Sequence, residues 1–346
     1  MTLARAFADQ AISCGRLGSP FMQQLLSMLS AHWPGDTALA AKFAAFSGDI
    51  GPAGHSLPLR LAGGLHALVL TGRAPELAAL YPPSRVSDHA LREGVLDALG
   101  AHEAFLLNWV ESPPQTNEVR RSAALMAGAT VVAQHSQLPV VLSELGASGG
   151  LNLMWDHYAL DLSGGGPGTA APVVRLTPEW EGPLPPTRLP VVAERAGVDL
   201  NPLDPQNPDD LLRLTAYLWP DQPHRLAMTR AAAGVMTARI DRADAIDWLE
   251  QRLTAAPDGH LHLIQHTVAW QYFPEAARAR GLALIEAAGA AATHYRPLAW
   301  LSMESEGDVH AAEGAALVLR FWPGDVTLRL GRADFHGRWI RWQGGV

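Results

Sequence analysis

The chain has 346 residues, which at roughly 150 residues per domain leaves room for about two domains. Hydrophobic residues make up 48% and charged residues 17%, which excludes the core-poor profile of a disordered chain. Lys plus Arg total 26 against 34 Asp plus Glu, a net charge of −8, so no nucleic-acid partner is expected and a small-molecule substrate is.

In chain order, residues 1–15 interrupt their apolar residues with Arg5 and Asp9, so no signal-peptide core is expected. Cys14 is the only cysteine, which leaves no intramolecular disulfide and no cysteine-based zinc cluster. Both features fit a cytoplasmic location. Phe21, Leu25, Leu26 and Leu29 recur at helical spacing. So do Leu59, Gly63, His66 and Leu70, then Leu91, Val95, Leu99, Phe105 and Leu106. Paired prolines, Pro82-Pro83 and Pro113-Pro114, punctuate these segments. The longest apolar run, Ala123 to Ala133, follows Arg120 and Arg121 and is too short to cross a membrane, so it predicts a buried helix.

At residue 138 the pattern changes. Leu138 to Leu145 is a short apolar run before a glycine cluster, the profile of a buried parallel strand. Further strands are expected over 190–200, 261–268, 298–303, 315–321 and 336–342. Helices are expected near 208–218, 224–238, 245–254 and 275–288. Alternating strands and helices predict an α/β fold with parallel βα units, the last two strands closing the edge as an antiparallel hairpin. The expected division is a helical part over 1–135 and an α/β part over 136–346. Residues 159–189, rich in Gly and Pro, predict an insertion built as a β-hairpin with a loop.

The most informative stretch is Glu144-Leu145-Gly146-Ala147-Ser148-Gly149-Gly150-Leu151-Asn152. A buried strand ends in an acid, then a small-residue turn, then a helix start. Missing Cβ atoms let a ligand approach the backbone, and a helix N-terminus offers free N–H groups. The dinucleotide pattern G-x-G-x-x-G fails, because Ser148 and Leu151 stand where glycines are required. The pattern [D/E]-x-G-x-G-x-G, which binds S-adenosylmethionine, fits Glu144, Gly146 and Gly150, with Ser148 replacing the middle glycine. The same residues match the nucleophile elbow G-x-S-x-G, so a hydrolase using Ser148 competes. Its acid would be Asp308 or Asp325, and its histidine His336 or His266.

Over 138–346 the chain resembles a class I methyltransferase. Over most of its length it resembles an uncharacterised bacterial domain-of-unknown-function family, which pairs a helical N-terminal part with a methyltransferase-like C-terminal part. The stretches that carry this are Thr116–Arg121, Glu144–Asn152, Gly197–Pro202, Trp219–Gln222 and His266–Tyr272. The resemblance implies a Rossmann-like methyltransferase sheet and S-adenosylmethionine as cofactor. It implies cofactor contacts at Glu144, Gly146, Ala147, Ser148, Gly150 and Asn152. It also implies ribose recognition by Asp199, with Asp244 and Ala245 near the adenine. Asp199 comes much later after Gly150 than that fold usually has it, an excess the insertion supplies.

His266 ends a strand where open α/β sheets place chemistry, and its near-neutral pKa suits a general base. Glu304, at the end of the next strand, and Glu118 are the other candidate bases. Trp270, Gln271 and Tyr272 are candidates to hold a flat substrate, and Asn117 and Arg121 to grip a carboxylate or phosphate. His260 and His262 alternate on one strand without a third ligand, so no metal is expected. The expected activity is methyl transfer to a small molecule. A non-catalytic S-adenosylmethionine or nucleotide sensor is the alternative from another class.

Overall fold

The computed structural model describes residues 2–51, 54–306 and 313–344. It divides into two compact units, one of 1–116 with 207–227 and one of 117–206 with 228–346. The division expected at 135 therefore moves to 116/117, and a later segment returns to the first unit.

The first unit is helical, with α1 (Leu3–Arg16), α2 (Pro20–His32), α3 (Ala38–Ala44), α4 (Leu57–Leu70), α5 (Pro75–Ala78), α6 (Asp88–Ala101) and α7 (Glu103–Trp109). Local signals start these helices. Thr2, Ser19, Thr37 and Ser87 each accept a backbone N–H as N-cap, and Pro20 opens α2 where no N–H is needed. Their apolar faces meet in one core that includes Phe7, Leu25, Leu61, Leu65 and Trp109. The returning segment brings Ala216, Tyr217 and Trp219 into that core.

The second unit opens with α8 (Ser122–His135), apolar on every side and buried through Ala133, as the uninterrupted run Ala123–Ala133 requires. Gly128 lets α8 lie on the sheet, because a Cβ there would stand 2.6 Å from Leu301. The strands follow: β1 (Val140–Leu145), β2 (Tyr158–Leu160), β3 (Val174–Leu176), β4 (Glu179–Glu181) and β5 (Val192–Asp199). The returning segment carries α9 (Pro208–Ala216), and α10 (Pro223–Gly234) comes next. Then come β6 (Arg239–Arg242), α11 (Ala245–Thr254), β7 (Leu261–Thr267), α12 (Glu275–Ala290), β8 (Leu298–Glu304), β9 (Ala315–Trp322), β10 (Val326–Ala333) and β11 (Trp339–Trp342).

One nine-stranded sheet has the order β4-β11-β10-β9-β8-β7-β1-β5-β6. The block β6-β5-β1-β7-β8 is entirely parallel. Strand order reverses between β1 and β7, the switch point where such sheets bind ligands at the carboxyl ends of their strands. Thus the α/β class and the large, mostly parallel sheet are as expected, with three differences in detail. First, the far edge is not a hairpin of 315–321 with 336–342. β10 lies between them, and β9, β10 and β11 form an antiparallel meander. Second, the insertion is not a β-hairpin. β2 and β3 form a separate parallel pair, and β4 joins the main sheet beside β11. Third, β6 is a short edge strand of Arg239-Ile240-Asp241-Arg242, whose charges hid it from a search for apolar runs. Among the described residues no helix is long and apolar enough to cross a membrane.

Candidate functional site

β1 is buried along its whole length and ends in Glu144 and Leu145. The chain then turns sharply, with positive φ at Gly146 (68°), Ser148 (54°) and Gly150 (71°). Both glycines serve packing within the protein. A Cβ on Gly146 would stand 2.6 Å from that of Ala269, and one on Gly150 would stand 2.4 Å from Met236. Ser148 occupies a conformation that costs a non-glycine residue about 1–3 kcal/mol.

The expected helix after this turn is replaced by a short 3-10 helix, Leu151–His157, kinked at Met154. Four amides of the turn are also taken. Ala147 donates to Val198 O at 3.0 Å, and Gly150 donates to Ala147 O at 2.8 Å. Ser148 donates to Asp199 Oδ2 at 2.9 Å, and Leu151 donates to Asn117 Oδ1 at 2.8 Å. These four amides are therefore not free to cradle a phosphate, which narrows the role expected for the backbone here.

Two side chains at this turn remain open. Glu144 Oε2 and Ser148 Oγ are buried with no hydrogen-bond partner among the described residues. Glu144 is only 2% exposed. Burial pushes its carboxyl up to about 8, while Gln265 and the Arg121 charge pull it down and Asp199 adds to the rise. It is thus largely protonated near neutral pH, and a cation arriving beside it would favour its ionised form.

The surroundings form a polar network on the face of the sheet beneath α8. Gln265, register partner of Glu144 on β7, accepts from Trp155 Nε1 at 3.1 Å and donates to Asn152 O at 3.2 Å. Asn152 Oδ1 accepts from Ser122 at 2.7 Å, so Asn152 supports the turn from within. Arg121 Nε donates to Phe335 O at 2.8 Å and Nη1 to Thr267 O at 3.3 Å. Asn117 and Arg121, expected to hold substrate, thus fasten the turn and the ends of β7 and β10. Glu118 is buried and pairs with Arg120 at 3.1 Å, which removes it as a free base.

On the opposite face, His266 is 1% exposed and both ring nitrogens are engaged. Trp300 Nε1 donates to Nε2 at 2.9 Å, and an indole N–H can only donate. The ring proton therefore sits on Nδ1 and is donated to Glu304 Oε1 at 2.7 Å. Glu304 also accepts from the amides of Ala269 (2.9 Å), Trp270 (3.1 Å) and Gln271 (3.4 Å). Burial opposes ionisation of Glu304, but these bonds outweigh it and hold the carboxyl below its ordinary range. His266 stacks on Trp270 at 5.2 Å. The two expected bases and Trp270 are thus a clasp on the loop after β7. Gln271 Oε1 accepts from Ser305 N at 3.2 Å, and Tyr272 is exposed. The clasp holds Val268 at φ 53°, an outlier for a β-branched residue.

The remaining expected residues divide. Asp199 ends β5 beside the turn and holds Ser148 N and Asn201 N. Asp244 is exposed and N-caps α11 through Ile246 N at 2.9 Å and Asp247 N at 3.1 Å, with Ala245 buried beneath it. Asp325 lies in the β9–β10 turn, at the end of the sheet opposite Ser148, and pairs with Arg320. Asp308 lies outside the described residues. With His266 engaged and Ser148 Oγ unpartnered, a serine triad is not assembled. No group of three potential metal ligands occurs among the described residues. The sequence reading missed Gln265, Ser122, Trp155 and Trp300. Gln265 carried a signal, a polar residue inside an apolar strand, whereas Val268 carried none.

The second unit is thus an α/β unit with a mostly parallel sheet, a strained turn and a buried acid at its switch point. The chain belongs to the family described as "Uncharacterized protein conserved in bacteria (DUF2332)", which it matches over residues 4–342. None of the curated proteins matches it.

Proposed function

We propose that the second unit binds S-adenosylmethionine at the β1 turn and directs methyl transfer to a small molecule. One observation carries the reading: the turn offers open side-chain acceptors while four of its amides are already taken. Glu144 Oε2 and Ser148 Oγ lack partners, while the amides of Ala147, Ser148, Gly150 and Leu151 are satisfied. A pyrophosphate needs those amides. A ligand with a cationic amine and no phosphate needs the carboxylate. The strand order supports the same reading, since it brings Glu144, Asp199 and Asp244 to the carboxyl ends or just beyond the ends of the adjacent strands β1, β5 and β6.

When bound, the cofactor supplies an electrophilic methyl group on a sulfonium sulfur. Glu144 would pair with the amine, losing its proton as it does so, and Asp199 would accept from the ribose. The expected bases His266, Glu304 and Glu118 are all engaged, so rate enhancement would rest on alignment of an acceptor that needs no enzymic base. That same engagement favours the second reading, a sensor that binds without turnover.

Calorimetric titration with S-adenosylmethionine and S-adenosylhomocysteine tests the shared claim. Saturable heat with either is expected, and its absence in a folded sample removes the cofactor. Incubation with methyl-labelled cofactor and a metabolite extract then separates enzyme from sensor by transfer of label. A fluorophosphonate probe should leave Ser148 unlabelled, and labelling there would revive the hydrolase.

A further inference from the structure

The helical unit holds a second constellation, which uses none of the residues of the β1 turn. Arg213 on α9 lies with its guanidinium carbon 4.6 Å from the ring centroid of Trp109, at the end of α7. Tyr217 follows α9 directly, its ring 6.0 Å from that of Trp109. Arg213 Nη1, Trp109 Nε1 and Tyr217 Oη are all buried, and none has a hydrogen-bond partner among the described residues. Trp109 and Tyr217 are each more than nine-tenths buried. Trp109 faces the Tyr217 oxygen as a hydrogen-bonding side chain and pulls its pKa down, at a geometry looser than a fully formed bond.

Donors outnumber acceptors in this set. Guanidinium and indole N–H can only donate. Tyr217 keeps its proton and can donate as well as accept: burial pushes its hydroxyl up to about 12, even though Arg213, Trp109 and Arg60 pull it down. Arg60, the second guanidinium acting on Tyr217, is satisfied by His55 O, Val110 O and Glu111 O. The nearby Glu111 carboxylate pairs with Lys42. Among the described residues half-buried Arg213 has neither a hydrogen bond nor an ion pair, although leaving its buried Nη1 donor unpaired is costly. The fold builds the arrangement deliberately, because α4 presents Gly63 and Gly64 to these rings. A Cβ on Gly63 would stand 2.4 Å from the Tyr217 ring, and one on Gly64 would stand 3.0 Å from Trp109.

We infer that Arg213, Tyr217 and Trp109 form a binding site for a small oxyanion, a carboxylate or phosphate, in the helical unit. Two oxygens of such a group match the fork of a guanidinium, and the indole shields it from water. The inference stands independently of the cofactor reading.

The test is calorimetric titration of the full chain with inorganic phosphate, sodium benzoate and the neutral benzamide. Saturable binding of phosphate or benzoate is expected, and which of them binds identifies the oxyanion; benzamide should not bind. Arg213→Ala should weaken binding about tenfold or more, and Tyr217→Phe, which keeps the ring, by a few-fold. Arg213→Gln serves if the alanine variant does not fold. The inference is overturned if folded wild type binds neither anion, if benzamide binds as well as benzoate, or if the Arg213 and Tyr217 variants bind unchanged.

Discussion

Replacing Glu144 by Gln keeps the shape of the side chain and removes its titration. In the folded chain the Glu144 carboxyl is raised from about 4.5 to about 8 by burial. Below pH 4.5 both folded and unfolded states hold the proton, and the contribution to stability is fully present. Between pH 4.5 and 8 the unfolded chain has released the proton while the folded chain keeps it. Stability then falls by about 1.4 kcal/mol per pH unit. Above pH 8 the loss levels off, at about 5 kcal/mol for the full gap. Urea unfolding of wild type and Glu144→Gln, followed by tryptophan fluorescence from pH 5 to 9, measures the difference. The variant should gain on wild type steadily as pH rises and then hold its advantage. A difference between the two that does not change with pH would refute the assignment of Glu144 as a buried, protonated acid.

Four further outcomes follow from the same geometry. Ser148→Gly relieves a positive φ and removes an unpartnered hydroxyl, so it should raise stability by about 0.5–1 kcal/mol in thermal unfolding; a loss would mean the hydroxyl is used. Gly146→Ala adds a Cβ 2.6 Å from that of Ala269 at φ 68° and should cost about 1–3 kcal/mol, with Ala269→Gly restoring only the part due to the clash. His266→Ala strips the clasp of its centre and should cost about 2–4 kcal/mol, with faster proteolysis at the loop after β7. Stability equal to wild type would show that the pair with Glu304 is not structural. Binding of a cationic ligand beside Glu144 at pH 7 should release about one proton, seen as heats that scale with buffer ionisation enthalpy; buffer-independent heats would place the ligand elsewhere.

Periodicity alone revealed the helical first part, the buried helix α8 and the strands β1, β7, β8 and β9, because each is a run whose burial pattern is written in its apolar residues. β6 and β10 were missed because Arg239, Arg242, Arg329 and Arg332 break up their apolar content at sheet edges and exposed faces. The boundary moved because α8 packs on the sheet, and residues 207–227 join a core formed by distant helices; no local pattern encodes either. At the site, the acid, the turn and the acid ending β5 were legible as residue types in a spacing. The commitments of individual atoms were not. His266 has the residue type and position of a base, but Trp300 and Glu304 occupy its two nitrogens; Asn117 has those of a substrate ligand, but it holds Leu151 N.

The most direct measurement is a crystal structure of the chain grown with S-adenosylhomocysteine. The account predicts ligand density along the turn Gly146–Gly150, with its amine at the Glu144 carboxyl and its ribose at Asp199. Crystals grown in saturating ligand that show that turn with the ligand bound elsewhere or not at all would contradict it.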